Sequence, residues 1–356
     1  MAFLFIGTTG DRAGHSLLTW AIARRLVERG LSVGFLKPFG TNPVPVEGLL
    51  TDHDALLFKE LLELQQPLDQ ICPYLVPEEA CKQMGADEIL AETRSLAQDL
   101  SVERDVLLIM GSKHIFFDDA SCPIPDIALA TELNAHFILV NRYRETSRSL
   151  YSILFARSML RDRIKGIILN RVPPDKIEEI KNQVIPSLSE KGIPITIVLQ
   201  EDPLLSFQSL REIGEILNAE ILFGEDRLNQ PVGQMTVGAS DLTGELRLFK
   251  RVYNKIILLE PLSLDRGRQE PLIHRAIAGI LLTGGRKPPP QVLTAAEETG
   301  IPLMLARHDT FAALELLEQS HSRLSSMDEA KVIHFTELMN RDGELDRLLH
   351  ILGSDS

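Results

Sequence analysis

The stretch FIGTTGDRAGHSLLTWAIARRL, residues 5–26, decides the fold of the chain's first half. A buried strand runs into a turn that contains Gly10 and Gly14, and the turn runs into an amphipathic helix. Glycines let backbone N–H groups wrap an anion, and a helix N-terminus favours negative charge. The pattern therefore predicts a phosphate-binding turn between Gly10 and Ser16.

One position of this turn departs from the usual phosphate-binding loop. A Lys normally reaches the terminal phosphates there, and the Ser or Thr after it supplies a hydroxyl for Mg²⁺. This chain has His15 at the Lys position and Ser16 at the hydroxyl position. Imidazole is shorter than a Lys side chain and mostly neutral near pH 7. Arg12, beside Asp11 in the loop, is the other source of positive charge, and a tight turn without a ligand is the alternative interpretation.

Composition narrows the class of protein. The 356 residues are 44% hydrophobic, enough for two domains with buried cores. The formal charge of -13 repels phosphodiester backbones, so nucleic acid is not an expected partner. Cys72, Cys81 and Cys122 are too few and too irregularly spaced for a disulfide framework or a thiolate metal site, and they indicate a reducing compartment. No stretch approaches the ~20 apolar residues of a membrane span, so we expect a cytoplasmic protein without membrane contact.

The hydrophobic pattern predicts an α/β protein. Apolar runs in the first half are continuous rather than alternating, which is typical of parallel strands buried on both faces. They are FLFIG, SVGFLKP, DVLLIM, HFILVN, GIILNRV and PITIVLQ. We therefore predict a doubly wound parallel sheet over residues 1–205. The strands KIILLEP, AGILLTGG and PLMLARH predict a smaller α/β domain over 206–320, and a helical tail follows at 321–356.

The first half resembles a known family. Its opening, IGTTGDRAGHSLLTWAIARRLVERGLSVGFLKPFG, is similar to dethiobiotin synthetase, and more closely to the N-terminal P-loop domain of long bacterial phosphotransacetylases. Lys37 and Pro38 match the family's Lys-Pro strand end. TDHDALLFKELLELQQPLDQICPYLV resembles its Asp-Ala segment, in which Asp54 takes the position of an acidic residue that helps hold Mg²⁺. The resemblance thus implies a P-loop NTPase-like fold, with Ser16 and Asp54 as metal ligands; Asp52 is a further candidate.

Two more landmarks of the resemblance concern the ends of later strands. DVLLIMGSKH is the counterpart of a strand that ends in Val-Glu-Gly, so Met110 stands where the family has a catalytic Glu. GIILNRV matches the strand whose Asn contacts adenine in the synthetase, which implies that role for Asn170. An Asn at a strand end can equally cap the following turn, and both interpretations of Asn170 stay open.

The second half resembles the DRTGG domain of the same phosphotransacetylases. EDPLLSFQSLREIGEILNAEILFGED and AGILLTGGRKPPPQVLTAAEETGIPLMLARHDTFAALELL carry that resemblance, and Asp265 and Arg266 are either a shifted remnant of the family's Gly-Asp-Arg stretch or a solvated loop. The acetyl-transferring domain of those enzymes is about as long as this whole chain, so we expect it to be absent. The resemblance also implies a homodimer.

These features favour a regulatory protein that binds a nucleotide or an anionic metabolite. We expect ATP or another adenine nucleotide, with Mg²⁺, at Gly10, Asp11, Arg12, Gly14, His15, Ser16, Lys37 and Asn170. The expected protein partner is an enzyme of acyl-CoA or acetyl-phosphate metabolism. Losing the loop Lys and the strand-end Glu removes charges that phosphoryl transfer needs, so an efficient ATPase is not expected. An ATP-dependent synthetase that activates a carboxylate or carbamate, and a ligand-free scaffold, are the alternatives.

Overall fold

A computed structural model describes most of the chain, and its contacts divide into two compact units. The first unit comprises residues 1–201 together with 324–356, and the second comprises 202–323. The residues described are 2–10, 13–76, 85–112, 115–116, 124–193, 196–205, 207–237, 256–261, 277–320 and 324–354.

A six-stranded parallel sheet forms the centre of the first unit, in the order β10-β9-β8-β1-β7-β2. Its strands are β1 (Ala2–Thr8), β2 (Val33–Leu36), β7 (Val106–Met110), β8 (His136–Arg142), β9 (Ile164–Val172) and β10 (Thr196–Gln200). All neighbouring strands in it are parallel. The continuous apolar runs account for this sheet, because helices cover both of its faces and leave no polar face to solvate. The predicted doubly wound P-loop NTPase-like fold is confirmed.

Helices and two small sheets surround the central sheet. The helices are α1 (His15–Glu28), α2 (His53–Leu61), α3 (Leu68–Ile71), α4 (Ala86–Leu100), α5 (Asp126–Glu132), α6 (Thr146–Leu160), α7 (Ile177–Glu179) and α8 (Ile185–Glu190). The small sheets pair β3 (Phe39–Gly40) with β6 (Tyr74–Leu75) and β4 (Pro43–Val46) with β5 (Leu49–Asp52). The β4–β5 hairpin leads directly into α2, and this connection places two acidic residues beside the end of β2.

A six-stranded mixed sheet forms the second unit, in the order β11-β13-β14-β15-β16-β12. Its elements are β11 (Gln208–Ser209), α9 (Leu210–Ile216), β12 (Glu220–Phe223), β13 (Pro231–Val237), β14 (Ile256–Pro261), β15 (Gly279–Leu282), α10 (Pro290–Thr299), β16 (Leu303–Leu305) and α11 (Thr310–Gln319). Among the described strands of this sheet, only β15 and β16 pair in parallel. The smaller α/β domain is therefore present, with antiparallel pairing toward both edges.

Two C-terminal helices, α12 (Glu329–Met339) and α13 (Glu344–Ser354), belong to the first unit. Helix α12 packs on α1 and β10, and α13 packs on β9 and β10. Leu348 is fully buried against Gly166, where the absence of a side chain makes room for it. Asp346 accepts hydrogen bonds from Arg25 Nε at 2.9 Å and from Arg29 Nη2 at 2.6 Å. The segment predicted as a tail thus contributes to the core of the first unit and forms ion pairs with α1, the helix that follows the predicted phosphate turn.

Candidate functional site

The predicted phosphate turn joins β1 to α1 at the carboxyl edge of the central sheet. Gly14 caps α1 with a φ of 84°, a left-handed conformation that a side chain disfavours. A Cβ at Gly14 would also lie 2.7 Å from the side-chain nitrogen of Asn170. Glycine is therefore needed at this point of the turn for two independent reasons. Asp11 and Arg12, both predicted to contact the ligand, lie outside the described residues.

Two asparagines hold the turn from the neighbouring strands. Asn170, near the end of β9, donates from Nδ2 to the carbonyl of Ala13 at 2.8 Å, and its Oδ1 accepts from the backbone N–H of Arg171 at 2.9 Å. Asn141, near the end of β8, donates from Nδ2 to the hydroxyl of Thr9 at 2.7 Å. The carboxamide of Asn170 is thus engaged with the protein itself, and adenine contact by Asn170 stays a prediction. Asn141 is not among the predicted site residues, although an Asn-Arg pair lies at or next to the end of both strands.

His15 begins α1 and lies half-buried beside the turn. Its Nε2 atom is buried and has no hydrogen-bond partner among the described residues. Desolvation lowers the pKa of His15 to about 4, and the charge of Lys37 acts in the same direction. The attraction of Asp54 and a hydrogen bond to the Gly111 backbone raise this pKa, but they are outweighed. The imidazole is therefore neutral near pH 7, so the position that usually carries the loop Lys adds no charge.

Lys37, just beyond β2, is buried between two carboxylates. Its Nζ lies 2.7 Å from Asp52 Oδ1 and 2.5 Å from Asp54 Oδ2. Burial alone would lower the pKa of Lys37, but the attraction of Asp54 and Asp52 prevails and raises it. Burial likewise opposes ionisation of Asp54, yet Lys37 outweighs it and lowers the pKa of Asp54 to about 2. Lys37 and Asp54 are consequently charged, and one ammonium faces two carboxylates, whose formal charges leave one negative charge in excess.

The local sequence explains how this cluster is built. Asp52 caps α2, because its Oδ1 accepts from the Asp54 N–H at 2.8 Å, while its Oδ2 accepts from the Asn42 N–H at 2.9 Å. An acidic cap and an acidic first turn are both favourable at a helix N-terminus. The cap therefore holds both carboxylates where the end of β2 delivers Lys37.

The candidate Mg²⁺ ligands converge on this cluster. The Ser16 hydroxyl hydrogen bonds to the Asp54 carboxylate, and Asp54 and Asp52 share Lys37. Within the described ranges, no group of three or more His, Cys, Asp or Glu side chains could hold a metal ion. Mg²⁺ commonly needs only one or two carboxylates when substrate phosphates and water complete its coordination. Ser16 and Asp54 therefore fit a Mg²⁺ ion that binds together with a phosphate.

A buried carboxyl lies near the end of β7, whose last residue is Met110, the position at which the sequence resemblance predicts a Glu. Met110 itself is fully buried. Asp126, the first residue of α5, accepts at Oδ1 from the Ser112 N–H at 2.9 Å and from the Ser112 hydroxyl at 3.0 Å. Its Oδ2 lies against Gly111, 2.5 Å from where a Cβ would stand. Burial raises the pKa of Asp126 to about 7. No sequence signal distinguished Asp126 from an ordinary helix-start Asp.

Comparisons with known proteins agree with this architecture. A family model described as an AAA domain matches residues 3–223, and one described as a DRTGG domain matches residues 212–320. Asp265 and Arg266, predicted to be either a remnant of the second family's motif or a solvated loop, lie outside the described residues. No helix within the described ranges is long and apolar enough to cross a membrane.

Curated relatives and a solved structure were also found. Phosphate acetyltransferase from Synechocystis sp. is 26% identical over 370 residues, covering 98% of this chain and 51% of the relative. ATP-dependent dethiobiotin synthetase BioD from Thermodesulfovibrio yellowstonii is 33% identical over 69 residues, covering 19% of this chain and 29% of the relative. The MinD cell division protein from Aquifex aeolicus aligns with a TM-score of 0.37 at 15% identity, covering 58% of this chain and 84% of MinD.

The extent of these matches defines the relationship. This chain spans about half the length of the phosphate acetyltransferases that it matches. The AAA-domain match covers more than half of the chain's 356 residues, and the DRTGG match follows it in the order expected from the sequence. The chain therefore belongs to the AAA domain family, in a form related to the N-terminal half of phosphate acetyltransferases, with a DRTGG domain after the P-loop NTPase-like domain.

Proposed function

We propose that this protein is a regulatory module that binds an adenine nucleotide, or a similar phosphate-bearing metabolite, through a degenerate P-loop. The carrying observation is the neutral, half-buried His15 at the loop Lys position, beside a Lys37 that two carboxylates neutralise. The left-handed Gly14 at the start of α1 and the N-terminus of that helix support binding of an anion there. Binding needs that geometry, whereas phosphoryl transfer also needs positive charge on the transferred group.

Electrostatics support binding of the nucleotide as its Mg²⁺ complex. The formal charges of Lys37, Asp52 and Asp54 leave one negative charge in excess, and His15 adds none near pH 7. A bare phosphate would be repelled by this excess, whereas Mg²⁺ brings compensating charge and finds Ser16 and Asp54 as oxygen ligands. We therefore expect nucleotide affinity to depend strongly on the divalent ion.

The alternative is an ATP-dependent synthetase that activates a carboxylate or carbamate. The convergence of Ser16, Lys37 and Asp54 favours it, because these side chains meet beside the turn. Met110 and His15 oppose it, since neither supplies charge to a transferring phosphoryl group. A ligand-free scaffold is the third candidate, and it predicts no response to any nucleotide.

Thermal unfolding separates the two candidates that bind a nucleotide or metabolite from the ligand-free scaffold. The protein is heated with ATP, ADP, AMP, acetyl phosphate or acetyl-CoA, each with Mg²⁺ and with EDTA. A ligand that binds only the native state must raise the melting temperature. The regulatory module predicts a rise with at least one phosphate compound in Mg²⁺ and a smaller rise in EDTA. An unchanged melting temperature across the whole panel would refute binding.

Matched variants connect any response to the turn. Gly14→Ala adds a Cβ against Asn170 at a left-handed φ, so it should abolish the thermal shift. Gly48→Ala is the control: Gly48 also has a positive φ of 87°, but it lies in the β4–β5 hairpin with open space around it. Phosphate release from ATP above the level of Gly14→Ala would favour the synthetase over the regulatory module.

The relatives suggest where such a module acts. We propose a cytoplasmic homodimer whose partner is an enzyme of acetyl-phosphate or acyl-CoA metabolism, because the chain corresponds to about half of phosphate acetyltransferases. Acetyl phosphate and acetyl-CoA are included in the thermal panel for this reason. A shift with either compound that survives Gly14→Ala would assign its binding to a site other than the turn.

A further inference from the structure

The end of β8, next to the predicted phosphate turn, carries two polar side chains that the protein itself does not fully satisfy. Asn141 is only 3% exposed, and its Nδ2 donates to the Thr9 hydroxyl at 2.7 Å. Its Oδ1 is buried and has no hydrogen-bond partner among the described residues. Arg142 is half-buried, and within the described part of the chain its guanidinium has neither a hydrogen-bond nor an ion-pair partner. Burying such groups without partners costs free energy, which a ligand that pairs with both would recover.

The sheet directs Arg142 toward the face on which the turn ends. In the parallel ladder Arg142 pairs with Asn170 of β9, and residues paired in this way project from the same face of the sheet. Asn170 reaches the carbonyl of Ala13 at 2.8 Å, at the point where the turn passes into α1. Arg142 therefore leaves the sheet on the face where α1 begins. A cation beside the positive end of a helix is unfavourable by itself, and an anion that contacts both is stabilised by both.

The strand order separates this cation from the acidic cluster. The turn follows β1; β8 lies on one side of β1, and β7 and then β2 lie on the other. Lys37, Asp52 and Asp54 lie on the β2 side, and the Ser16 hydroxyl bonds to Asp54 there. In a phosphate-binding loop, the Lys position and the hydroxyl after it lie at the terminal phosphates and their Mg²⁺. The terminal phosphates of a bound nucleotide therefore meet the negative excess on the β2 side, and the phosphate next to the nucleoside lies toward β8.

We propose that Arg142 supplies the positive charge that His15 does not, and that Asn141 and Arg142 together bind the phosphate attached directly to the nucleoside. The Thr9 hydroxyl can donate as well as accept, so the Asn141 carboxamide can rotate by half a turn, accept from Thr9 and direct its N–H group at a phosphate oxygen. The planar guanidinium of Arg142 matches two phosphate oxygens at once. The site then holds AMP by its one phosphate without Mg²⁺, and only the added phosphates of ADP and ATP require the ion.

This assignment rests on nucleotide binding in the proposed function, and titration calorimetry of the whole chain tests it with adenosine, AMP, ADP and ATP, each in Mg²⁺ and in EDTA. The affinity for AMP should be nearly the same in both, and the loss in EDTA should grow from ADP to ATP. Arg142→Gln should weaken AMP, ADP and ATP by one common factor of roughly 10–100, the range of a hydrogen bond to a charged group. Adenosine, which has no phosphate, should not distinguish the variant from the wild type. Arg144→Gln is the matched control, because Arg144 is an exposed arginine two residues further along the chain.

The ligand-free variants separate binding from folding. Arg142→Gln removes a half-buried charge, so its melting temperature should equal or exceed that of the wild type, and a lower value would assign Arg142 a structural role instead. Arg142→Lys should recover part of the lost affinity, because it restores the charge but not the planar fork. Nucleotides that bind the wild type and Arg142→Gln equally overturn the role of Arg142 and leave the proposed nucleotide binding in place. A loss confined to ATP overturns the placement at the first phosphate, and a chain that binds none of the nucleotides overturns both proposals.

Discussion

The buried carboxyl of Asp126 makes the stability of the first unit depend on pH. Burial raises its pKa from 3.8 to about 7, so the folded chain holds this proton over a range in which the unfolded chain has lost it. Stability is therefore present at low pH and is lost as the pH rises toward 7. At 1.36 kcal/mol per pKa unit the total loss is about 4 kcal/mol, of which about 3 kcal/mol falls between pH 5 and pH 8.

Asp126→Asn removes this titration while keeping the shape of the side chain. The amide oxygen still accepts from the Ser112 N–H and hydroxyl, and the amide nitrogen takes the place of the protonated oxygen beside Gly111. At pH 5 the variant should already be more stable than the wild type by about 1–2 kcal/mol, because the unfolded wild type has by then lost its proton. At pH 8 the variant should be more stable by about 4 kcal/mol, because only the wild type carries an ionised buried carboxyl.

Urea unfolding followed by Trp20 fluorescence measures this effect. Trp20 is the single tryptophan of the chain, and it is buried in α1, so it reports on the first unit. The free energy of unfolding is measured from pH 5 to pH 8 for the wild type, for Asp126→Asn and for Asp99→Asn, an exposed control on α4. Parallel curves for the wild type and Asp126→Asn would refute the assignment of a buried, protonated Asp126.

The same fluorescence assay tests three further changes. Lys37→Met leaves two buried carboxylates uncompensated and should lower the free energy of unfolding at pH 7 by about 3–5 kcal/mol, whereas an unchanged value would mean that the ion cluster is solvated. As the pH falls from 6.5 to 4, the wild type should lose roughly 1–3 kcal/mol of unfolding free energy that His15→Gln keeps, because the depressed pKa of His15 makes the folded chain resist protonation there. Equal acid sensitivity of the two proteins would contradict this. Asp346→Ala should lower the free energy of unfolding by about 1–2 kcal/mol at low salt, because it removes the ion pairs with Arg25 and Arg29. High salt weakens these ion pairs in the wild type, so the difference between the two proteins should shrink; a salt-independent difference would assign the effect to packing.

Most of the first sheet could be predicted because its strands are continuous apolar runs. Each predicted run contains or overlaps an observed strand, and the glycine turn lies where the sequence places it. The β4–β5 hairpin was not predicted, because Pro43 and Pro45 are poor strand signals. The hairpin nevertheless sets the position of Asp52, so a weak local signal controls part of the site.

The packing of the C-terminal segment is a second feature that the sequence could not predict. Its helical pattern was evident, but the partner of a helix depends on which surface remains uncovered in the fold. Leu348 fits against Gly166, and Asp346 meets Arg25, from positions far apart in the chain. Such long-range complementarity leaves no periodic trace in one sequence.

The sequence by itself determined the fold class and the glycine-containing turn between β1 and α1, with His15 at the start of the helix, because strand runs and glycines are local features. Only the tertiary structure decided the charge state of the site. Burial keeps His15 neutral, two carboxylates hold Lys37, and Asp126 retains a proton near neutral pH. Ionisation depends on desolvation and on charges brought together by folding, and neither can be read from residue order.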